Sequence, residues 1–278
     1  MAVTCEGRGP ALVLLHGFTG SGRTFDPFVG AFSRHYTVVR FDALGHGRSP
    51  APPDPEAYRL EAAVQDMAQR LDELGFARCH LLGYSMGGRM ALAFALEHRQ
   101  RVDRLVLESA SAGIADPLAR EHRRRSDEEL ADRIEREGIE AFVDHWESLP
   151  LFASQSGLDP RVRAALRAQR LAQRPEGLAM SLRGAGAARS EPRWEQLGGL
   201  CRPTLLVAGA LDPTYVANAR AMARRLPRAS VAVIAGAGHA VHLERPEAFA
   251  RVVTAFLRRR PGMPGGTGDE VERKGGQG

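Results

Sequence analysis

Ser85 sits in Gly83-Tyr84-Ser85-Met86-Gly87, a serine with a glycine two residues to either side. A serine hydroxyl is a weak nucleophile and a weak base. It does chemistry when a histidine takes its proton and a carboxylate holds that histidine in the right tautomer. Two later stretches offer those partners: Gly209-Ala210-Leu211-Asp212 and Gly236-Ala237-Gly238-His239. Asp212 also stands where it would cap a helix opened by Pro213, and His239 stands where a loop histidine would bond to backbone. His242 competes with His239, and Asp42 and His46 in DALGHGRS are further candidates, although Asp42 precedes the serine. A Ser85–His239–Asp212 relay would remove a proton or attack a carbonyl. Either step develops an oxyanion, for which the backbone N–H groups of Met86, after the serine, and Phe18, in His16-Gly17-Phe18, are the expected donors.

Such residues need elements to hold them. Ala11–Leu15 (ALVLL) is a continuously apolar run ending at His16-Gly17, the pattern of a parallel strand buried on both faces. Tyr36–Asp42, His80–Gly83, Arg104–Ser109, Pro203–Asp212 and SVAVIAGAGH repeat it. Helical spacing of apolar residues runs from Tyr58 to Leu74, with Gly75 as the stop, from Met86 to about His98, and from Pro246 to about Arg259. Strands alternating with helices predict a mostly parallel sheet flanked by helices. Ser85 then lies on a sharp strand-to-helix turn, and serine, aspartate and histidine follow in the chain order of the α/β-hydrolase fold. Asp212 and His239 fall at the carboxyl ends of strands, where open sheets of this kind bind ligands. In that order Asp42 is misplaced as the acid, and its loop reads as a structural or site-shaping element.

The alternation breaks at about Gly113. The predicted organisation is a core in two parts, residues 1–112 and 193–260, a helical cap over 113–192, and a Gly-rich polar tail over 261–278 that is expected to be disordered. The chain's 278 residues, 44% hydrophobic, suffice for one such domain. Its net charge of +5 comes almost wholly from arginine, because Lys274 is the only lysine. No basic stripe with interleaved aromatics suggests nucleic acid. Cys5, Cys79 and Cys201 have neither disulfide nor metal spacing, and no secretion signal or membrane-length apolar run is present, so a cytoplasmic enzyme without membrane insertion is expected.

LHGFTGSGRTF, DALGHGRS, GYSMGGRMAL, LVLESASAG, the stretch FVDHWESLPLFASQ and GLAMSLRG together resemble the 2-succinyl-6-hydroxy-2,4-cyclohexadiene-1-carboxylate synthases of menaquinone biosynthesis, over about Leu12 to Ala255. The core motifs alone say α/β-hydrolase; the arginine in YSMGGR and the WESLPLFASQ segment carry the narrower likeness. The resemblance implies a small polycarboxylate substrate, 2-succinyl-5-enolpyruvyl-6-hydroxy-3-cyclohexene-1-carboxylate, from which pyruvate is eliminated, with the triad acting as base. It implies no metal or organic cofactor; a monomer or small homo-oligomer is expected, with the sequence leaving the choice open. Arginine's planar, permanently charged fork suits such a substrate. Arg89, Arg123 and Arg170 match family substrate-binding arginines by motif position, with Arg124, Arg167 and Arg183 as alternatives; Tyr84 and Trp146 match family site residues. The sequence departs from the pattern at AGAARSEP, where a GMGTG stretch is common, so a difference in local cap geometry is expected. The rival readings are a serine hydrolase of an ester or of a carbon–carbon bond beside a ketone, which would use the same triad, and a non-catalytic scaffold, against which the complete triad argues.

Overall fold

The computed structural model describes residues 1–259; the predicted tail over 261–278 lies outside the described residues. Seven strands, β1 (Ala2–Glu6), β2 (Ala11–Leu15), β3 (Thr37–Asp42), β4 (Cys79–Tyr84), β5 (Val102–Glu108), β6 (Thr204–Gly209) and β7 (Ala229–Ile234), form one sheet in the order β1-β3-β2-β4-β5-β6-β7. All pairings are parallel except β1 with β3. The edge strand β1 carries a partly exposed AVTCE and gives little apolar signal in the sequence.

The unbroken apolar runs have a simple cause. Ala11, Val13 and Leu15 of β2 pack with Phe41, Leu81 and Phe94 on one face of the sheet. Leu12 and Leu14 pack with Val38, Leu82 and Phe249 on the other. With both faces covered, every strand position must be apolar. The first face is covered by α2 (Leu60–Glu73) and α3 (Met86–Glu97), the second by α1 (Asp26–Phe32) and α9 (Pro246–Leu257). Gly75, with φ +77°, follows α2 as its left-handed stop.

Between β5 and β6 the chain forms α4 (Pro117–Ser148), α5 (Pro160–Leu171) and α6 (Pro175–Ala185). Each begins with a proline in its first turn, and α4 and α5 are capped by Asp116 and Asp159. Helix α4 breaks at Gly138, whose φ of +81° and extended ψ suit glycine best. These helices share a small core of their own, Ala131, Ile134, Phe142, Val143, Leu178, Ala179 and Leu182, separate from the two sheet layers. The remaining core helices, α7 (Pro213–Ala223) and α8 (Val241–Glu244), follow β6 and β7 and carry the loops described next.

Candidate active site

Ser85 is the single residue between β4 and α3, with φ 52° and ψ −110°, a strained conformation that lifts its side chain above the sheet. The flanking glycines are required by backbone crowding. A Cβ on Gly83 would meet Gly87 O at 2.3 Å, and one on Gly87 would meet Leu15 O at 2.2 Å. The amide of Ser85 donates to Glu108 O at 2.9 Å, which ties the turn to β5.

His239 Nε2 lies 3.0 Å from Ser85 Oγ, and His239 Nδ1 lies 2.8 Å from Asp212 Oδ2. Both His239 and Asp212 are buried. Asp212 has two partners: Oδ2 meets His239, while Oδ1 accepts the Tyr215 amide at 3.2 Å and caps α7. The cap reading and the triad reading of Asp212 are therefore both satisfied by one carboxylate. The loops after β6 and β7 touch directly, since a Cβ on Gly209 would fall 2.1 Å from Gly238 O. Glu244 braces the histidine loop by accepting the amides of Gly238 and Ala240 at 2.7 and 3.3 Å.

The other candidates sit elsewhere. His242 is fully buried behind Tyr84, with Nδ1 and its amide 2.8 and 2.9 Å from Glu108 Oε1. Asp42 accepts the amides of Gly22 and Arg48 at 2.6 and 3.0 Å. Burial alone would raise its pKa, but these bonds and nearby His16 outweigh burial and hold it below the usual range. His46 is buried against Phe18 and His16, and burial pushes its pKa down to about 3. No residue of the DALGHGRS loop lines the cavity above Ser85; the loop reaches the site only through His46, whose ring packs on Phe18. Phe18 and Met86 both line the cavity above Ser85. Met86 N–H is in the first turn of α3, where amides lack intrahelical acceptors.

That cavity measures about 490 Å³, ordinary for a small-molecule site. Ser85, His239, Tyr84, Arg89, Arg123 and Trp146 all line it. Arg89 is one helical turn beyond Ser85, and its guanidinium donates to the carbonyls of Ala185 and Gly186 at 2.9 and 3.3 Å. Burial lowers its pKa, and it forms no salt bridge with a carboxylate among the described residues. The departing AGAARSEP segment is therefore the wall that holds Arg89. Arg123 Nε donates to Asp127 Oδ1 at 2.7 Å.

The insertion's other arginines are engaged by acids. Arg124 pairs with Glu121, Arg167 with Asp144 and Glu147, and Arg183 with Glu128, Asp132 and Glu135; none of the three lines the large cavity. Arg170 is buried, bonded to Glu147 at 2.9 Å and Gln155 at 3.2 Å, with its guanidinium over Phe152. It lines a small adjoining cavity with Tyr84, Trp146 and His242, and is not brought beside Ser85. Sequence reasoning did not single out Tyr215, whose ring lies 4.5 Å from that of His239, or Arg133. A signal for Arg133 existed: Arg123, Ser126, Asp127, Leu130 and Arg133 recur at helical spacing, so one side of α4 meets the cavity. Among the described residues no cluster of histidine, cysteine and acid side chains could hold a metal ion, and no helix is long and apolar enough to cross a membrane.

The sheet order, the strained serine turn and the hydrogen-bonded relay define an α/β-hydrolase, and the family model described as "alpha/beta hydrolase fold" matches residues 10–246. A protein of Bacillus subtilis (strain 168), provisionally named a 2-succinyl-6-hydroxy-2,4-cyclohexadiene-1-carboxylate synthase, is 38% identical over 258 residues, 92% of this chain and 94% of that one. The synthase of that name from Salmonella paratyphi C (strain RKS4594) is 32% identical over 249 residues, 90% and 94% of the two chains. The solved structure of MenH from S. aureus superposes with a TM-score of 0.88 at 34% identity, covering 92% of this chain and 97% of that one. An enol-lactonase from Burkholderia xenovorans LB400 gives 0.80 at 28% identity, covering 93% and 96%. The chain is an enzyme that belongs to the 2-succinyl-6-hydroxy-2,4-cyclohexadiene-1-carboxylate synthase family within the α/β-hydrolases.

Proposed function

We propose that this enzyme eliminates pyruvate from 2-succinyl-5-enolpyruvyl-6-hydroxy-3-cyclohexene-1-carboxylate, giving 2-succinyl-6-hydroxy-2,4-cyclohexadiene-1-carboxylate. The observation that carries the reading is a serine–histidine–aspartate relay opening into a cavity whose Arg89 has no carboxylate partner among the described residues. A half-buried guanidinium with no carboxylate in salt-bridge contact favours an anionic ligand. The names of the relatives point to the same reaction.

In this mechanism Ser85 acts as a base. His239 accepts the Ser85 proton as the serine oxygen removes a proton from the cyclohexene ring, and Asp212 stabilises the imidazolium. The electron pair moves into the ring and onto the succinyl carbonyl, where the N–H groups of Phe18 and Met86 stabilise the developing enolate. Collapse of that enolate shifts the ring double bond and breaks the ring carbon–oxygen bond; the departing enolpyruvate takes up the proton held by His239 and tautomerises to pyruvate. Arg89 and Arg123 hold substrate carboxylates, Tyr84 and Trp146 contribute wall and edge contacts, and Arg170 acts from the adjoining cavity. Residues 113–192 serve as the cap that selects the substrate. The reaction runs in the cytoplasm, on a monomer or small homo-oligomer, with no nucleic acid or membrane partner.

The test is pyruvate release from the enolpyruvyl substrate, followed by a coupled assay in wild type and Ser85→Ala. Fast release that collapses in the variant supports the lyase. No release above the uncatalysed rate, together with Ser85-dependent cleavage of a p-nitrophenyl ester, would replace it by the hydrolase reading, which the likeness to the enol-lactonase favours.

A further inference from the structure

Asp127 is an unusual residue to find in a cavity built for anions. Its side chain is only 6% exposed and lines the same cavity as Ser85, Arg89 and Arg123. Oδ1 is satisfied by Arg123 Nε at 2.7 Å. Oδ2 is buried and has no hydrogen-bond partner among the described residues. It lies against Gly186, the residue whose carbonyl holds Arg89: a Cβ on Gly186 would meet Oδ2 at 2.6 Å. Asp127 therefore lies close to two of the three arginines that line the cavity, Arg123 and Arg89.

A buried oxygen left without a donor is destabilising, more so when charged. Repulsion of substrate carboxylates adds to that cost. Two effects can offset it. The first is orientation: because Arg123 spends Nε on Asp127, its two terminal nitrogens remain for a carboxylate. The second needs a donor from the ligand. Building on the polycarboxylate reading above, the substrate brings a ring hydroxyl, a neutral donor on an otherwise acceptor-rich molecule.

We propose that Asp127 is a specificity-determining residue: Oδ1 presents the Arg123 fork to a carboxylate of the ligand, and Oδ2 accepts the hydrogen bond of its ring hydroxyl. The site then rejects a dicarboxylate of the same shape that lacks the hydroxyl, because Oδ2 would remain buried and unpaired. Hydrogen-bonding sites discriminate against analogues missing the bonded group far better than apolar pockets do.

The test compares two ligands by calorimetry. One is the reaction product, which carries the hydroxyl. The other is 2-succinylbenzoate, which has the same two carboxylates on an aromatic ring and no hydroxyl. Wild type is expected to bind the product at least about tenfold more tightly, the effect of one hydrogen bond to a charged acceptor. In Asp127→Ala the preference falls to within about twofold while both ligands weaken; in Arg123→Ala both weaken and the preference persists. Asp127→Asn, which keeps the packing but replaces the charged acceptor, narrows the preference in the same direction. Equal binding of both ligands by wild type, or a preference unchanged in Asp127→Ala, would overturn the inference and leave the lyase reading intact. Binding of neither ligand would overturn the substrate class itself, and this inference with it.

Discussion

The sheet and the helical insertion hold their functional residues by different physics. In the sheet, Ser85, Asp212 and His239 are placed by backbone against backbone: Gly83 against Gly87, Gly87 against Leu15, Gly209 against Gly238. Contacts of 2–2.5 Å to a hypothetical Cβ leave no freedom, so the relay is held by main chain that nothing larger than glycine permits. In the insertion, arginines are placed by carboxylates. Arg123 leans on Asp127, Arg170 on Glu147, and Arg183 on three acids at once. Such pairs are adjustable, and the exposed ones contribute little each. The sheet supplies chemistry that many substrates could share. On the proposed function, the insertion, together with Arg89 of α3 that bonds to its carbonyls, selects the substrate.

The largest effects are expected in the sheet. Ser85→Ala should lower kcat for pyruvate release by about 10³-fold or more, leaving the melting temperature nearly unchanged, as measured by the coupled assay and thermal unfolding. Gly87→Ala should cost a comparable amount, with a clear fall in melting temperature as well, because α3 must move away from β2 to admit the methyl group. A tolerated Gly87→Ala would break the claim that backbone contact sets the relay.

Next in size are the insertion variants. Arg123→Ala should raise KM about tenfold with a smaller change in kcat, whereas Arg124→Ala, whose partner is Glu121, should stay within about twofold of wild type in steady-state kinetics. The reverse ranking would place the wrong side of α4 against the cavity.

The smallest effect is on stability against pH. His46 is buried with its folded pKa held down at about 3, below the ordinary imidazole value. The unfolded chain therefore binds the extra proton between about pH 6.5 and 3, so stability should fall as the pH is lowered through that window. Urea unfolding at pH 7 and pH 5 should show the loss, and His46→Asn should flatten it.

The same contrast explains what the sequence disclosed. Strand runs such as ALVLL and the glycine spacing around Ser85 are direct imprints of two-sided burial and backbone crowding, so the sheet and the relay were legible. The sequence places the start of α2 at Tyr58, but Tyr58 closes a 3₁₀ turn, Pro55–Tyr58, set by Pro55 and the Asp54 cap, and the helix begins at Leu60. The partly exposed β1 left too weak a pattern to find. Arg89 and Arg123 line the cavity as their motif positions imply, whereas the turn of Arg170 into the adjoining cavity was not legible, because it depends on an acid distant in the chain, Glu147. Tyr215 was missed for the same kind of reason: it faces His239 only because Asp212 caps α7 at that residue's amide.

The most direct test of this division of labour is Arg89→Ala assayed on two substrates, the enolpyruvyl polycarboxylate and a neutral p-nitrophenyl ester. The account predicts that pyruvate release falls about 10²-fold or more, while any Ser85-dependent ester cleavage stays within about twofold, since the relay is untouched and only the anion's partner is lost. Equal losses on both substrates would make Arg89 part of the relay's scaffold, and no loss on the polycarboxylate would contradict the anion-selecting cavity on which the proposed function rests.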